Sequence, residues 1–550
     1  MRANLRQLPR VRTYWVLTAL MAVGLWLRGT DLGLVPFNID EAALSLFANT
    51  VAHLRGFPIV GVRTSFGFHN PPLFVYLMAP CYAFTPDPRF AVLALAMGGT
   101  AAIGLVGLTA RRLWGGWAAV VAAALVCFSP TAIDHSRRLW GHDTMIFWSA
   151  LALYCAVRAS QSGRRKFAWV GLAAAAAAQA CHLSGVLLWI VPVGALVLFR
   201  PSRWRRSLAV GVLVLGVIYA PWVVEEVRVG ESGRRFEETR LIVGLITGRA
   251  EVARRAEGPA PAVVSWALQL ADAGHNDMLG LEYERFLAER PALRRMTRAA
   301  WLLLAGLQVA AVLALLVTAT RWRAMPVSAR WALLLAAAAL APVVVFTVLP
   351  VTAVPPYQLP ALVPCALAVA WLTTRWPEIV RGASWQAMRR RPVERCALVG
   401  ALALVVLVAA FGVSYTRAQR GFLRAVTPAD RTTTALEHKI DAMALIVSSA
   451  AASGVRTSIS QDGRSARAGL DFWVVYLHYY ISGREAIPVD PHAEHQFVVR
   501  DSKTVLRPEV AAWLEQFDST AIGNLTVTRL IGPEAAEWRR LTEQFSSAGE

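Results

Sequence analysis

Long apolar runs decide what this chain can fold into. They fall at residues 13–30, 89–110, 117–133, 144–160, 207–223, 299–319, 331–350, 357–374 and 396–414. Each approaches the roughly 20 residues that a helix needs to cross the hydrocarbon core of a bilayer. In lipid only a helix or a closed barrel satisfies its own backbone, so runs of this length read as spanning helices. Two further runs are ambiguous. Residues 71–85, starting at Pro71–Pro72, are short for a span. Residues 167–199 are too long for one span and short for two, with a polar break at His182 and Ser184–Gly185. The composition agrees, with 56% hydrophobic and 17% charged residues against roughly 45–50% and 25% in an average soluble domain. A disordered chain, a coiled coil and a disulfide scaffold are excluded. Cys81, Cys127, Cys155, Cys181, Cys365 and Cys396 all lie in apolar runs without paired spacing, as buried thiols do.

Charge sets the orientation. The net charge of +20 sits in short basic clusters between the apolar runs, which suits membrane topology and anionic lipid heads rather than nucleic acid. Cytoplasmic loops carry the Lys/Arg excess. The clusters at Arg2–Arg12, Arg111–Arg112, Arg164–Lys166, Arg200–Arg206, Arg321–Arg323 and Arg389–Arg395 share one side only under two conditions. Residues 167–199 must form a hairpin of two short helices, and 71–85 must not cross. The expectation is eleven spans in the cytoplasmic (inner) membrane, N-terminus inside and C-terminus outside. The basic start, Met1–Arg12, lacks a small-residue cleavage site and reads as leading into a retained span.

Two domains follow. Residues 1–415 form an α-helical polytopic membrane domain, with outer loops 31–88 and 224–298 and a short outer loop 134–143. Residues 416–550 have ordinary polarity and read as a small α/β extracytoplasmic domain. Helices are expected at 430–452, 466–482 and 533–546, and strands at 455–460, 496–500 and 524–531. The Arg/Glu-rich stretch 225–257 reads as a solvated loop face.

Polar residues are costly near a membrane, so their places carry information. Asp40–Glu41 follow the first span by about ten residues. Adjacent carboxylates there suit a general base with a charge partner; Asp40 as the N-cap of a helix over 41–53 is the plainer reading, and the two are compatible. His69–Asn70 precede Pro71–Pro72, facing a headgroup or forming a plain turn. Loop 134–143 packs Asp134, His135, Arg137, Arg138, His142 and Asp143 into ten residues. Arginines on an outer face want an anion, either phosphate or the neighbouring aspartates. His182 alone reads as a packing histidine. Asn524–Leu525–Thr526 matches a glycosylation sequon of a kind frequent by chance.

Four segments, in this order, resemble the GT-C membrane glycosyltransferases: "FNIDEAALSLFANTVAHLRGFPIVGVR", "HNPPLFVYLMAP", "SRRLWGHDTMIFWSALALY" and "PPYQLPALVPCALAVAWL". The nearest groups are the protein O-mannosyltransferases and the aminoarabinose transferase of lipid A, and the resemblance covers roughly residues 10–375. It implies transfer of a sugar from a polyprenyl-phosphate donor to an extracytoplasmic protein, lipid or envelope glycan, with inversion. It implies Asp40 as the catalytic base with Glu41 beside it, Asp143 as the acid of the second outer loop, and Tyr357 at the late motif. His69 and Asn70 take the place of residues that hold the phosphate or a metal, although Asn70 stands where a lysine or histidine is usual and Pro356 where a basic residue is common. On charge grounds Arg137 or Arg138 neutralises the leaving phosphate, and both are candidate donor-binding residues. Asp40, Asp143 and His69 are a candidate set for Mg²⁺ or Mn²⁺, which take hard oxygen ligands. The alternatives are a lipid or solute transporter or flippase, which calls for charges at mid-membrane and matched halves, and a non-catalytic scaffold.

Overall fold

The computed structural model describes residues 10–62, 69–201, 203–229, 259–271, 279, 282–320, 327–348, 355–380, 390–461, 471–483, 493–501 and 506–546. Helix α1 (Arg10–Gly29) is followed by the short α2 (Ile39–Ala52) and α3 (Leu73–Phe84). Then come α4 (Pro88–Trp114), α5 (Gly116–Phe128), α6 (Pro130–His135), α7 (Met145–Ser162), α8 (Arg165–Cys181), α9 (Ile190–Phe199) and α10 (Trp204–Val229). The membrane part continues with α11 (Pro259–Leu268), α12 (Tyr283–Ala288), α13 (Pro291–Ala319), α14 (Val327–Val348), α15 (Leu359–Val380) and α16 (Arg390–Arg424).

Six described helices are long and apolar enough to cross a membrane: Pro88–Trp114, Trp204–Glu225, Pro291–Ala319, Ala329–Thr347, Pro356–Thr374 and Cys396–Arg424. The segment expected not to cross is the 12-residue α3, about 18 Å long at 1.5 Å per residue and so short of the core thickness. Residues 167–199 fold back as expected: α8 rises, a 3-10 turn over Leu183–Trp189 reverses the chain, and α9 returns. Run 117–133 breaks at Ser129–Pro130. There the Ser129 hydroxyl accepts from the Ala132 amide (3.2 Å) and starts α6. The expected loop 224–298 is partly helical. Helix α10 continues to Val229, α11 and α12 intervene, and α13 begins at Pro291, because a helix need not stop at the hydrocarbon boundary. Residues 230–258, and with them most of the Arg/Glu-rich stretch, lie outside the described residues, as do Arg321, Arg323, Arg389 and residues 351–354.

The two ends of the bundle differ. Gln161 Nε2 donates to the Arg112 carbonyl (3.3 Å), which puts the ends of α4 and α7 and the start of α8 together. Arg330 donates to the Leu198 carbonyl (2.9 Å), adding the end of α9 and the start of α14. Arg111, Arg112, Arg164 and Arg200 thus gather at one end. Loop 136–144 and the 182–185 turn lie at the other, since α7 and α8 run antiparallel between them.

The tail forms α17 (Leu436–Ser453), β1 (Thr457–Gln461), α18 (Phe472–Ser482), β2 (His495–Asp501), α19 (Pro508–Leu514), β3 (Ser519–Ile522), β4 (Leu525–Ile531) and α20 (Pro533–Ser546). The sheet order is β1-β2-β4-β3. β1 and β2 are parallel, with α18 in their crossover, and β4 is antiparallel to both β2 and β3, as connection lengths demand. The expected strands are present to within two residues, the helix expected at 430–452 begins only at Leu436, residues 466–470 of the next lie outside the described residues, and β3 and α19 are additions. Helix α16 runs through position 415 to Arg424. The tail docks on the segment before α2. Pro36 pairs with Ala435, and the Leu436 and Glu437 amides donate to the Val35 and Gly33 carbonyls (2.9 and 3.0 Å). Phe37, fully buried, packs its ring 6.0 Å from Tyr476.

Candidate active site

The first acidic pair sits on the opening turn of α2. The N-cap is Asn38, not Asp40: Glu41 occupies the third helical position, and its Oε2 accepts from the Asn38 amide (3.0 Å), forming a capping box. This corrects the expected cap by two residues. The Asn-x-x-Glu spacing is the reason, since only a carboxylate at the third position reaches back to the cap amide. Glu41 is buried and Asp40 half-buried. Both stand at the positive end of the helix macrodipole, a place that suits acidic residues.

The second acidic loop meets the first. Arg138 Nη2 lies 3.5 Å from Glu41 Oε1, with both side chains buried and the two residues 97 positions apart in the chain. The Arg138 guanidinium also stands 5.1 Å from the centroid of the Trp140 ring, a cation–π distance. A 3-10 turn over Gly141–Thr144 then presents His142 and Asp143. His135 Nδ1 donates to Asp143 Oδ1 at 2.6 Å, and His142 Nε2 lies 3.3 Å from the same oxygen. Among the described residues, His135, His142 and Asp143 bring one ligand atom each within 4.8 Å of one another and could hold a metal ion. The candidate metal set read from the sequence shares only Asp143 with this cluster. Two imidazoles and a carboxylate suit Zn²⁺ or Mn²⁺ better than Mg²⁺.

A ladder of rings leads away from that cluster. Trp140 and His142 lie 4.3 Å apart, His142 and His182 5.3 Å, His182 and Tyr357 5.1 Å, and Tyr357 and Phe346 6.1 Å. Gly141 makes this approach possible: a Cβ there would lie 2.2 Å from the Cys181 carbonyl oxygen. Burial holds the His142 pKa well below the ordinary range and lowers that of His182 to about 4, because a desolvated imidazole disfavours its charge. Both rings are neutral at pH 7. Burial raises the Asp134 carboxyl, with neighbouring His135 and Arg138 pulling the other way.

Arg137 donates to the Thr30 carbonyl (3.0 Å) and to the Asp31 carbonyl, at the C-terminal end of α1. Arg420 and Arg424 of α16 bind the Asp31 carboxylate, and Arg420 also reaches Thr30 and Leu27. Arg137 is therefore engaged in an anchor, while Arg138 faces the carboxylate. His69 and Asn70, both half-buried, stand before α3. The Gly61 amide donates to the Asn70 carbonyl (2.7 Å) and the Asn70 amide to the Val62 carbonyl (3.1 Å). Asn70 Oδ1 is buried without a hydrogen-bond partner among the described residues. Sequence reasoning did not nominate His135, His142 or Asp31. Two histidines in a ten-residue loop were the available signal for the first two, and none marked Asp31.

The pattern of a family described as dolichyl-phosphate-mannose-protein mannosyltransferase matches residues 69–224. Among solved structures, the chain is similar to ArnT from Cupriavidus metallidurans, crystallised bound to undecaprenyl phosphate. The TM-score is 0.55 at 16% identity, over 94% of this chain and 98% of that one. It also matches the archaeal oligosaccharyltransferase AglB from Archaeoglobus fulgidus, solved with an inhibitory peptide and a dolichol-phosphate. There the TM-score is 0.49 at 14% identity, over 90% of this chain and 70% of that one. A comparison with curated proteins gave no match. The chain thus shares the fold of ArnT, and its residues 69–224 carry the pattern of the mannosyltransferase family.

Proposed function

We propose that this protein transfers a sugar from a polyprenyl-phosphate-linked donor to an extracytoplasmic acceptor, a protein, lipid or envelope glycan. The observation that carries the reading is the Glu41–Arg138 contact, which joins two acidic motifs 97 residues apart. Asp40 is the general base. The acceptor hydroxyl attacks C1 of the sugar, its proton passes to the Asp40 carboxylate, and the polyprenyl phosphate departs with the bonding pair. A single displacement of this kind inverts the anomeric carbon. Arg138 neutralises charge on the leaving phosphate, where a buried guanidinium is worth most. Asp143, oriented by His135, holds the second loop. His69, Asn70 and Tyr357 bound the donor side, and Arg137 fixes the loop that carries Arg138. The ArnT relative was solved with undecaprenyl phosphate, which supports a lipid phosphate of that class as the carrier. A divalent ion held by His135, His142 and Asp143 would supply Lewis acidity toward the phosphate.

The same reading orients the chain with eleven spans in the cytoplasmic membrane, N-terminus inside, and site and tail outside. A flippase fits less well, because the acids stand at helix ends and in turns rather than along spans. The test is Asp40→Asn, which keeps size and the helix start. It should abolish transfer while membrane levels and thermal midpoint stay near wild type. Wild-type activity in that variant removes Asp40 from the mechanism.

A further inference from the structure

The chain has only three lysines, Lys166, Lys439 and Lys503, and one is buried against the site. Lys439 of α17 is 4% exposed. Its Nζ donates to the Phe37 carbonyl at 2.7 Å and lies 4.9 Å from the centroid of the Trp473 ring on α18. The Phe37 carbonyl and the Asn38 amide belong to one peptide group. That amide donates to Glu41 Oε2 at 3.0 Å, while the other Glu41 oxygen faces Arg138. A buried cation on a carbonyl draws electron density along the amide and makes its N–H a stronger donor, as hydrogen bonds in series do.

We propose that Lys439 is a positioning residue for Glu41, acting through the peptide group between Phe37 and Asn38, so that the tail domain sets the geometry of the site. The proposal rests on the reading of Glu41 as part of a glycosyl-transfer site. Carboxylate, peptide and ammonium form one line from loop to tail. The rest of the docking supports it: Tyr476, which packs on Phe37, donates to the Pro86 carbonyl at 2.5 Å and holds the start of α4 to the same unit.

The test complements a deletion strain with wild type, Lys439→Met, Lys439→Arg and Val498→Ala, at matched membrane levels. The readouts are the glycan and lipid species restored, and amide exchange across residues 36–42 of the purified full chain in detergent. Methionine keeps the packing and removes the charge; arginine keeps the charge and the donor. Val498, in the tail core, lowers stability without touching the peptide. Lys439→Met should cut product by about tenfold or more, the scale of one charge-assisted hydrogen bond, and speed exchange at the Asn38 amide. Lys439→Arg should restore product and protection. Val498→Ala should lower the thermal midpoint and leave product unchanged. Wild-type product from Lys439→Met, or a loss in Val498→Ala that tracks stability, overturns the proposal. If the deletion strain lacks no glycan or lipid species, the glycosyltransferase reading falls. Exchange at Asn38 then still decides the Lys439 link: unchanged exchange in Lys439→Met rejects it.

Discussion

Arg137 and Arg138 are neighbours in sequence with different surroundings, and the difference is testable. Arg137 caps the carbonyl end of α1, where a cation meets the negative end of the helix dipole. Arg137→Ala should therefore cost stability, about 2 kcal/mol for a lost charged hydrogen bond, read as a lower thermal midpoint. Arg138→Gln should leave the midpoint closer to wild type and lose most transfer activity, because Glu41 keeps a hydrogen-bonding neighbour but the phosphate loses its cation. The folded protein holds His182 near pKa 4 and His142 well below normal, whereas the unfolded chain titrates near 6.5. The unfolded state thus binds more protons between those values. Stability is full above about 6.5 and falls as pH drops toward 4, by about 3 kcal/mol for His182 alone. Asp134, with its raised carboxyl, works in the opposite direction. His182→Gln should flatten the acid limb of a thermal-midpoint profile, and an unaltered limb would assign the slope to other groups.

At the scale of elements, the second loop works as a wedge between α8 and the first loop. Gly141→Ala places a methyl on the Cys181 carbonyl, so turn 141–144 must move away from the end of α8. Such overpacking costs about 1–3 kcal/mol. It should also separate His142 from His182 and reduce transfer more than the stability loss alone explains, with membrane-protein yield and activity measured together. Several elements were legible in the sequence: the hairpin at 167–199, the short α3 and the strands of the tail. Each is written in local chemistry, a polar break in an apolar run or an alternation of burial. The start of α2 was legible in principle through Asn38 and Glu41, but the Asp–Glu pair drew the cap two residues too far. β3 and α19 were not legible, because four and seven residues carry too little periodicity to stand apart from loops.

At the scale of the molecule, the basic turns and the acidic loops occupy opposite ends of one bundle. Single cysteines placed at Ser162 and Leu54, both exposed, should react with a membrane-impermeant maleimide from the cytoplasmic and outer sides respectively, in a background lacking Cys396. Labelling of both from one side would overturn the orientation. A helical membrane bundle with basic turns is written in the amino-acid order alone, since hydrophobic length and charge are properties of short segments that the bilayer reads one at a time. Packing of the helices settles which arginine faces Glu41 and brings a lysine from the tail to the peptide before α2. Glu41 and Arg138 stand 97 positions apart and Phe37 and Lys439 402, and no local pattern encodes a partner that the chain meets only after its helices have packed.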